Sequence, residues 1–302
     1  MHAHHNWRAA RGAATVRPMT IPPPIASLAG LVAPLSTDAF RALLEAHRPH
    51  LAQTGDPARH AGLIDWDTAM AGLSDGTFEP GDIRLYRNRR KVPSLFVKVP
   101  PPARAELVRQ MQGEDAGFIV NRVERRVPAI ASLCAALAGE TGDNVTAGLV
   151  ATCGAGSALD LHFDPYDLVV LQLDGAKRWE VFADPVDHPF EGMNVFPSAP
   201  PTEKVLTADL GPGDWLFVPA GYHHRCDTIG ARSLHLSLMF YPLSLPRIAD
   251  LLKRELLVDP ADRASLRRAG EAEIKRALIG RIEAMSLDDL LRRHRDLPVA
   301  DG

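Results

Sequence analysis

From Asn144 to Tyr241 the chain breaks into short runs of strand-forming residues. "NVTAGLVATC", "LDLHF", "DLVVLQL", "KRWEVFA", "EKVLTADL", "DWLFVP", "HHRCDTI" and "ARSLHLSLMFY" follow one another. Turn residues punctuate them: Gly154, Gly156, Pro165, Gly175, Pro185, Gly211, Gly213, Gly221 and Gly230. Many short strands with turn signals between them indicate a sandwich or a barrel. A mostly β fold with flanking helices is therefore expected, its barrel core over about 144–243.

The flanks read differently. The first 24 residues, with three early histidines and ending in Pro22 to Pro24, read as a disordered leader. A mixed region follows. "STDAFRALLEAH" offers Ser36, Thr37 or Asp38 as an N-cap, and Phe40, Leu43 and Leu44 make an apolar stripe, so a short helix is expected. "DIRLYRN" and "PSLFVKV" read as strands joined by a basic turn from Arg87 to Lys91. "PPARAELVRQM" and "VPAIASLCAALAGETG" read as helices, the second ended by Gly139 or Gly142. After Tyr241 the spacing is helical to the end, and 244–302 is expected to be a helical segment whose leucines pack on the body or on a second copy.

Composition narrows the function. The chain has 302 residues, 46% hydrophobic and 24% charged, with a formal net charge of −3. That balance gives no sign of a nucleic-acid or membrane partner. Cys134, Cys153 and Cys226 are too few and too scattered for a disulfide framework, so a reducing, cytoplasmic setting is expected. No apolar run reaches the roughly 20 residues of a membrane span.

The chemistry concentrates in "LHFDPYDLVVLQLDGAKRWEVF" and "VPAGYHHRCD". Residues i and i+2 of a strand share a face, so His162 and Asp164 project together while Phe163 turns away. An imidazole and a carboxylate side by side are two ligands of a facial metal set. The turn at Pro219 and Gly221 leads into His223 and His224, of which one faces inward on a strand; parity alone does not choose. His235, between Leu234 and Leu236, is a further inward candidate. Lys177 stands in an otherwise apolar run. It is either an exposed strand lysine or a buried one, and a buried ammonium is costly unless an anion meets it. Histidines merely hydrogen-bonded in a core are the plain alternative for each ring taken singly. Trp179 and Trp215 read as packing residues, Asp214 as a carboxylate bonding backbone amides in a turn, and Cys226 as cavity-facing or a small buried hydrophobe. Tyr166 and Asp167 are expected near the cavity mouth.

These stretches, with "LGPGDWLFVPAGYHHRCDT" and "SLHLSL", resemble the JmjC-type cupin oxygenases related to the ribosomal oxygenases, over roughly Ile25 to Tyr241. The resemblance implies a double-stranded β-helix (jelly-roll) catalytic domain over 25–243, Fe(II) and 2-oxoglutarate as cofactors, and hydroxylation of a side chain of a protein, peptide or amino acid. It places the metal ligands at His162, Asp164 and His224, with His223 beside the metal but not on it. It places the co-substrate cation at Lys177, and Thr152 matches a polar position near it. It makes 244–302 a dimerisation segment and the chain a homodimer. Many relatives carry Asn and Tyr on the strand before the His-x-Asp pair; an ungapped count finds Gly148 and Val150 there, and His235 is expected to take up part of that work. Two other classes remain: a metal-dependent cupin of isomerase type, which would not need Lys177, and a non-catalytic binding module.

Overall fold

A computed structural model describes residues 25–92, 99–112, 115–154, 158–199, 201–258 and 270–297. The leader expected at 1–24, nearly all of the strand expected at 93–99, the punctuating Gly156 and the start of the helix expected after 258 lie outside the described residues.

The N-terminal region runs α1 (Leu28–Val32), α2 (Thr37–Glu45), β1 (His50–Ala52), α3 (Trp66–Asp75), β2 (Ile83–Arg87), β3 (Arg90–Val92), α4 (Pro101–Gln112), β4 (Ala116–Asn121) and α5 (Pro128–Thr141). Ser36 caps α2 by accepting from the Ala39 amide, and α5 opens on Pro128 and stops at Gly142, whose φ is 84°. The basic turn tightens to Asn88 and Arg89, both left-handed, while Arg90 and Lys91 already belong to β3. Two consecutive left-handed residues are what a two-residue hairpin needs. Then come β5 (Asn144–Cys153), β6 (Asp167–Phe182), β7 (Lys204–Leu210), β8 (Trp215–Val218) and β9 (His224–Tyr241). The chain continues through α6 (Leu245–Val258), α7 (Glu271–Glu283) and α8 (Leu287–Arg295).

The expected mostly β fold with a closed jelly-roll barrel is corrected. Among the described residues this is a mixed α/β fold with more helix than strand. Its antiparallel sheet is open, in the order β1-β8-β6-β9-β5-β4-β2-β3, with β7 on the far half of β6. The edge strands β1 and β3 have three residues each and do not pair with one another. Closure requires the outermost strands to share hydrogen bonds; here the N-terminal region adds β1 through β4 as extra outer strands, which instead extend the sheet. The helical excess comes partly from α1 and α3, whose short spans gave no clear period in the sequence.

The sheet bends sharply without closing. The runs "DLVVLQL" and "KRWEVFA" are one strand, β6, as "HHRCDTI" and "ARSLHLSLMFY" are one strand, β9. They pair along their whole length, with register shifts between Gln172 and Asp174 and between Gly175 and Ala176. The buried Gln172 amide holds the bend, donating to the carbonyls of Asp174, Gly175 and Leu234 and to Ser233 Oγ. Gly175 has φ 62°, and a Cβ there would lie 2.0 Å from the Arg232 carbonyl oxygen. Bulges of this kind kink a strand and raise its twist.

Two apolar clusters result. Val169 and Leu171 join the large outer core with Leu149, Leu236, Phe118 and the N-terminal helices. Their neighbours Leu168 and Val170 face an inner cluster with Trp179, Val181, Leu210 and Leu216. Period-two alternation thus buries both faces of the first half of β6. The functional cavity opens beside the inner cluster.

Candidate metal centre and its cavity

The residues from Leu159 to Tyr166 are not a strand, contrary to the reading of "LDLHF". One antiparallel bridge stands in its place. The His162 amide donates to the His224 carbonyl at 3.2 Å, and the His224 amide donates to the His162 carbonyl at 2.7 Å. Residues exchanging both bonds lie directly opposite, with side chains on one face. Their ring centroids are 4.5 Å apart. The Asp164 carbonyl accepts from the Gly221 amide at 2.8 Å, which locks the metal-facing bend against the Pro219–Gly221 turn. Gly221 has φ 81°, and a Cβ on it would meet the Val186 carbonyl oxygen at 2.2 Å. Asp167 secures the same turn from the other side, accepting from the Ala220 amide at 2.9 Å.

One ligand atom from each of His162, Asp164 and His224 lies within 4.8 Å of the others. Nε2 of His162 is 3.9 Å from Asp164 Oδ1, and Nε2 of His224 is 3.6 Å from Asp164 Oδ2. Both rings are oriented from behind. Nδ1–H of His162 donates to the Asp160 carbonyl at 2.8 Å, and Nδ1–H of His224 donates to the Tyr222 carbonyl at 3.0 Å. A carbonyl only accepts, so each Nδ1 carries the proton and each Nε2 lone pair faces the centre. Burial, with His162 second, pushes His224 down to about 4, which keeps its imidazole neutral and able to bind a cation. The set is capable of holding a metal ion. His223 faces the other way, edge-on to Phe163 at 5.4 Å.

The cavity above this triad is lined by β4, β5, β6 and β9. Lys177, Trp179, His224, Cys226, His235 and Tyr166 all border it. Lys177, Trp179 and Val181 share a face of β6, opposite Thr228, Cys226 and His224 of β9. Lys177 is fully buried, and its ammonium has no properly formed hydrogen bond among the described residues; the Cys226 thiol and the Asp227 carboxylate bear on it electrostatically. Burial lowers its pKa. His235 is pushed far down by burial and then by Lys177, and its Nδ1 has no hydrogen-bond partner among the described residues.

Of the expected site residues, His162, Asp164, His224, Lys177 and His235 come together around this cavity. Thr152 is buried and not among the cavity-lining residues; its hydroxyl is bonded to Thr228 Oγ1 at 2.6 Å. Gly148 and Val150 do line the cavity. Asp214 fulfils its expected turn role, accepting from the amides of Thr54 and Gly211. Trp215 is core, donating to the Ala33 carbonyl. Trp179 is more than packing: it stacks on His224 at 5.8 Å and meets His235 edge-on at 5.5 Å. Asn121 also lines the cavity, and Phe196 lies near the metal set outside the lining; neither stands out in the sequence. Asn121 sits on β4, a strand with no clear signal in the sequence, directly opposite Gly148. Phe196 comes from the 183–203 loop, 6.3 Å from the His162 ring, and the Phe163 amide donates to the Val195 carbonyl.

Residues 125–248 match the family model of the JmjC domain. The chain is 23% identical to mouse ribosomal oxygenase 2 over 222 residues, which is 70% of this chain and 46% of that protein. It is 32% identical over 81 residues to the bifunctional lysine-specific demethylase and histidyl-hydroxylase NO66 of Drosophila persimilis, 26% of this chain and 12% of that one. The chain thus spans less than half the length of these curated relatives. Among solved structures, YcfD, a ribosomal oxygenase from Escherichia coli, in complex with cobalt and 2-oxoglutarate, superposes with a TM-score of 0.53 at 18% identity, covering 84% of this chain and 69% of that one. Together with the triad, these likenesses give the chain a JmjC-type, cupin-like fold related to that of the bacterial and animal ribosomal oxygenases.

Proposed function

We propose that this chain is an Fe(II)- and 2-oxoglutarate-dependent oxygenase that hydroxylates a side chain of a protein or peptide. The observation that carries this reading is a pairing: a buried ammonium without a properly formed hydrogen bond among the described residues shares one cavity with a His-Asp-His set. Two imidazoles and one carboxylate are the donor set of facial iron sites with open positions. A buried cation calls for an anion, and a dicarboxylate reaching from the metal supplies one.

His162, Asp164 and His224 would hold the metal, and Lys177 the far carboxylate of 2-oxoglutarate. His235 is neutral and beside Lys177, so it adds a polar contact without adding charge. Thr152 acts through Thr228, the residue opposite Lys177 in register, and so positions the co-substrate wall. When bound, the iron and keto acid supply the oxidising chemistry, with the keto acid decarboxylated to succinate. The protein's part is orientation and exclusion of water. The carbonyls of Asp160 and Tyr222 keep both Nε2 atoms aimed at the metal, and Trp179 walls the cavity between His224 and His235. On this reading we take 25–243 as the catalytic domain and 244–302 as the dimerisation segment.

The helical segment fits self-association. Arg247 of α6 and His294 of α8 are buried against the body, whereas α7 buries no residue and exposes Leu278, Ile279 and Ile282. We take a second copy of this chain as its partner.

The test is succinate formation from 2-oxoglutarate with Fe(II) and ascorbate, first without substrate and then with ribosomal-protein peptides. The expected result is turnover that falls at least about 100-fold in His162→Ala, Asp164→Ala and Lys177→Ala. Turnover of any substrate that survives Lys177→Ala unchanged would point to the isomerase-type class.

A further inference from the structure

The cavity wall is one face of a run of paired strands, and the row that crosses it continues past the cavity edge. Arg84 of β2 pairs with Ile119 of β4, Ile119 with Val150 of β5, and Val150 with His235 of β9. Ile119, Val150 and His235 all line the cavity. Ile83 and Leu85, on either side of Arg84, are both buried in the outer core. Alternation therefore turns the Arg84 side chain to the cavity face, one strand beyond Ile119, at the rim.

Arg84 is half-buried and makes no hydrogen bond or ion pair with any described residue. Its guanidinium is close enough to Tyr166 to bear on that phenol, and Tyr166 in turn lies beside Asp164. The described cavity lining contains one carboxylate, Asp164, which belongs to the metal set. Two cations thus sit on the cavity face without an ion pair to a described carboxylate: Lys177 in the lining, and Arg84 one strand beyond it. On the oxygenase reading, 2-oxoglutarate spends its far carboxylate on Lys177 and its other end on the metal. Nothing of the co-substrate is left for Arg84.

We propose that Arg84 is the substrate-selecting residue, and that the substrate presents a carboxylate to the rim beside the carbon that is oxidised. A guanidinium takes a carboxylate through two parallel hydrogen bonds, which fixes orientation as well as charge. The neighbouring lining group Asn121, on the adjacent β4, is neutral and short, so it admits such a group without competing for Arg84. The carboxylate comes from an acidic side chain of a peptide or from a chain terminus or free acid; the chemistry at Arg84 is the same. This inference rests on the oxygenase reading above.

The experiment uses the full chain loaded with Mn(II) and 2-oxoglutarate. Binding of both is measured first by calorimetry, before any probe is added. The probes are acetyl-Gly-Glu-Gly-amide against its Gln counterpart, and hippurate against hippuramide. Mn(II)-induced broadening of probe proton resonances reports binding near the metal. At least one acid is expected to bind about tenfold or more tightly than its amide. Arg84→Gln should erase that preference and leave Mn(II) and 2-oxoglutarate affinities unchanged, and Arg84→Lys should keep part of it. A preference confined to the Glu peptide assigns a side-chain carboxylate; one confined to hippurate assigns a terminus or free acid. Equal behaviour of acids and amides overturns the inference, as does weakened 2-oxoglutarate binding in Arg84→Gln. Failure of the wild type to bind Mn(II) or 2-oxoglutarate sinks the oxygenase reading, and this inference with it, at the first step.

Discussion

Lys177 and Asp143 are charged groups that the fold holds at a cost. Lys177 lies fully buried with no properly formed hydrogen bond among the described residues. Replacing a poorly paired buried charge with an apolar chain of similar length usually stabilises a protein. Lys177→Met is therefore expected to raise the stability of the metal-free protein by about 1–3 kcal/mol while abolishing 2-oxoglutarate binding. Urea denaturation and calorimetry read the two effects separately, and a destabilised variant would mean the ammonium already has its anion. Asp143 is a second case. Burial pushes its carboxyl from 3.8 up to about 6. Well below its unfolded pKa of 3.8 it is neutral in both states and costs nothing. As pH rises through 3.8 towards 6 the unfolded chain gives up this proton first, so stability falls, and the penalty stays above pH 6. Asp143→Asn should match the wild type near about pH 3 and exceed it by about 1–2 kcal/mol above pH 6, after allowance for partial exposure. A stability difference independent of pH would show that the carboxyl is not so perturbed.

At the scale of elements, the site depends on two glycine-permitted bends. Gly221 lets the turn before β9 approach Val186, and Gly175 lets β6 kink against Arg232. Gly221→Ala should weaken metal binding at least about tenfold with the core intact, because the turn that carries the Asp164 hydrogen bond must shift. Mn(II) titration checks this, and unchanged affinity would refute it. Gly175→Ala should instead lower global stability by about 2–4 kcal/mol, since it disturbs the bend that joins both clusters. The element-level reading of the sequence succeeded where runs were long and clearly bounded. β5, β7, β8, α2 and α5 fall close to where their residues placed them. It failed at "LDLHF", where the pairing is one bridge rather than a strand, and at β4, which was not read. Local periodicity carries no information on whether a run will find a partner strand.

For the whole molecule, α6 and α8 each bury side chains against the body, whereas α7 buries none. The Asn144 amide donates to the carbonyls of His294 and Leu297, and His294 Nε2–H donates to the Tyr241 carbonyl. α7 contributes nothing buried. Ile279→Glu with Ile282→Glu is expected to convert a dimer to a monomer at micromolar concentration, by light scattering, without changing metal affinity. A wild type that is already monomeric removes the dimer. No described helix is long and apolar enough to cross a membrane.

The sequence by itself determined the chemistry at individual positions. Lys177 and His235 are legible as polar residues in apolar runs, where a buried polar group needs a reason, and His162 and Asp164 as an i, i+2 pair, whereas the choice of His224 over His223 comes from the family resemblance. The sequence also determined that a dense antiparallel strand region would carry them. Only the tertiary structure decided that the sheet stays open, that Thr152 bonds Thr228, and that Asn121 and Arg84 share the cavity face. Those facts depend on register and bending between segments far apart in the chain. A strand's alternation says which residues share a face, but the hydrogen bonds of other strands decide what that face looks upon.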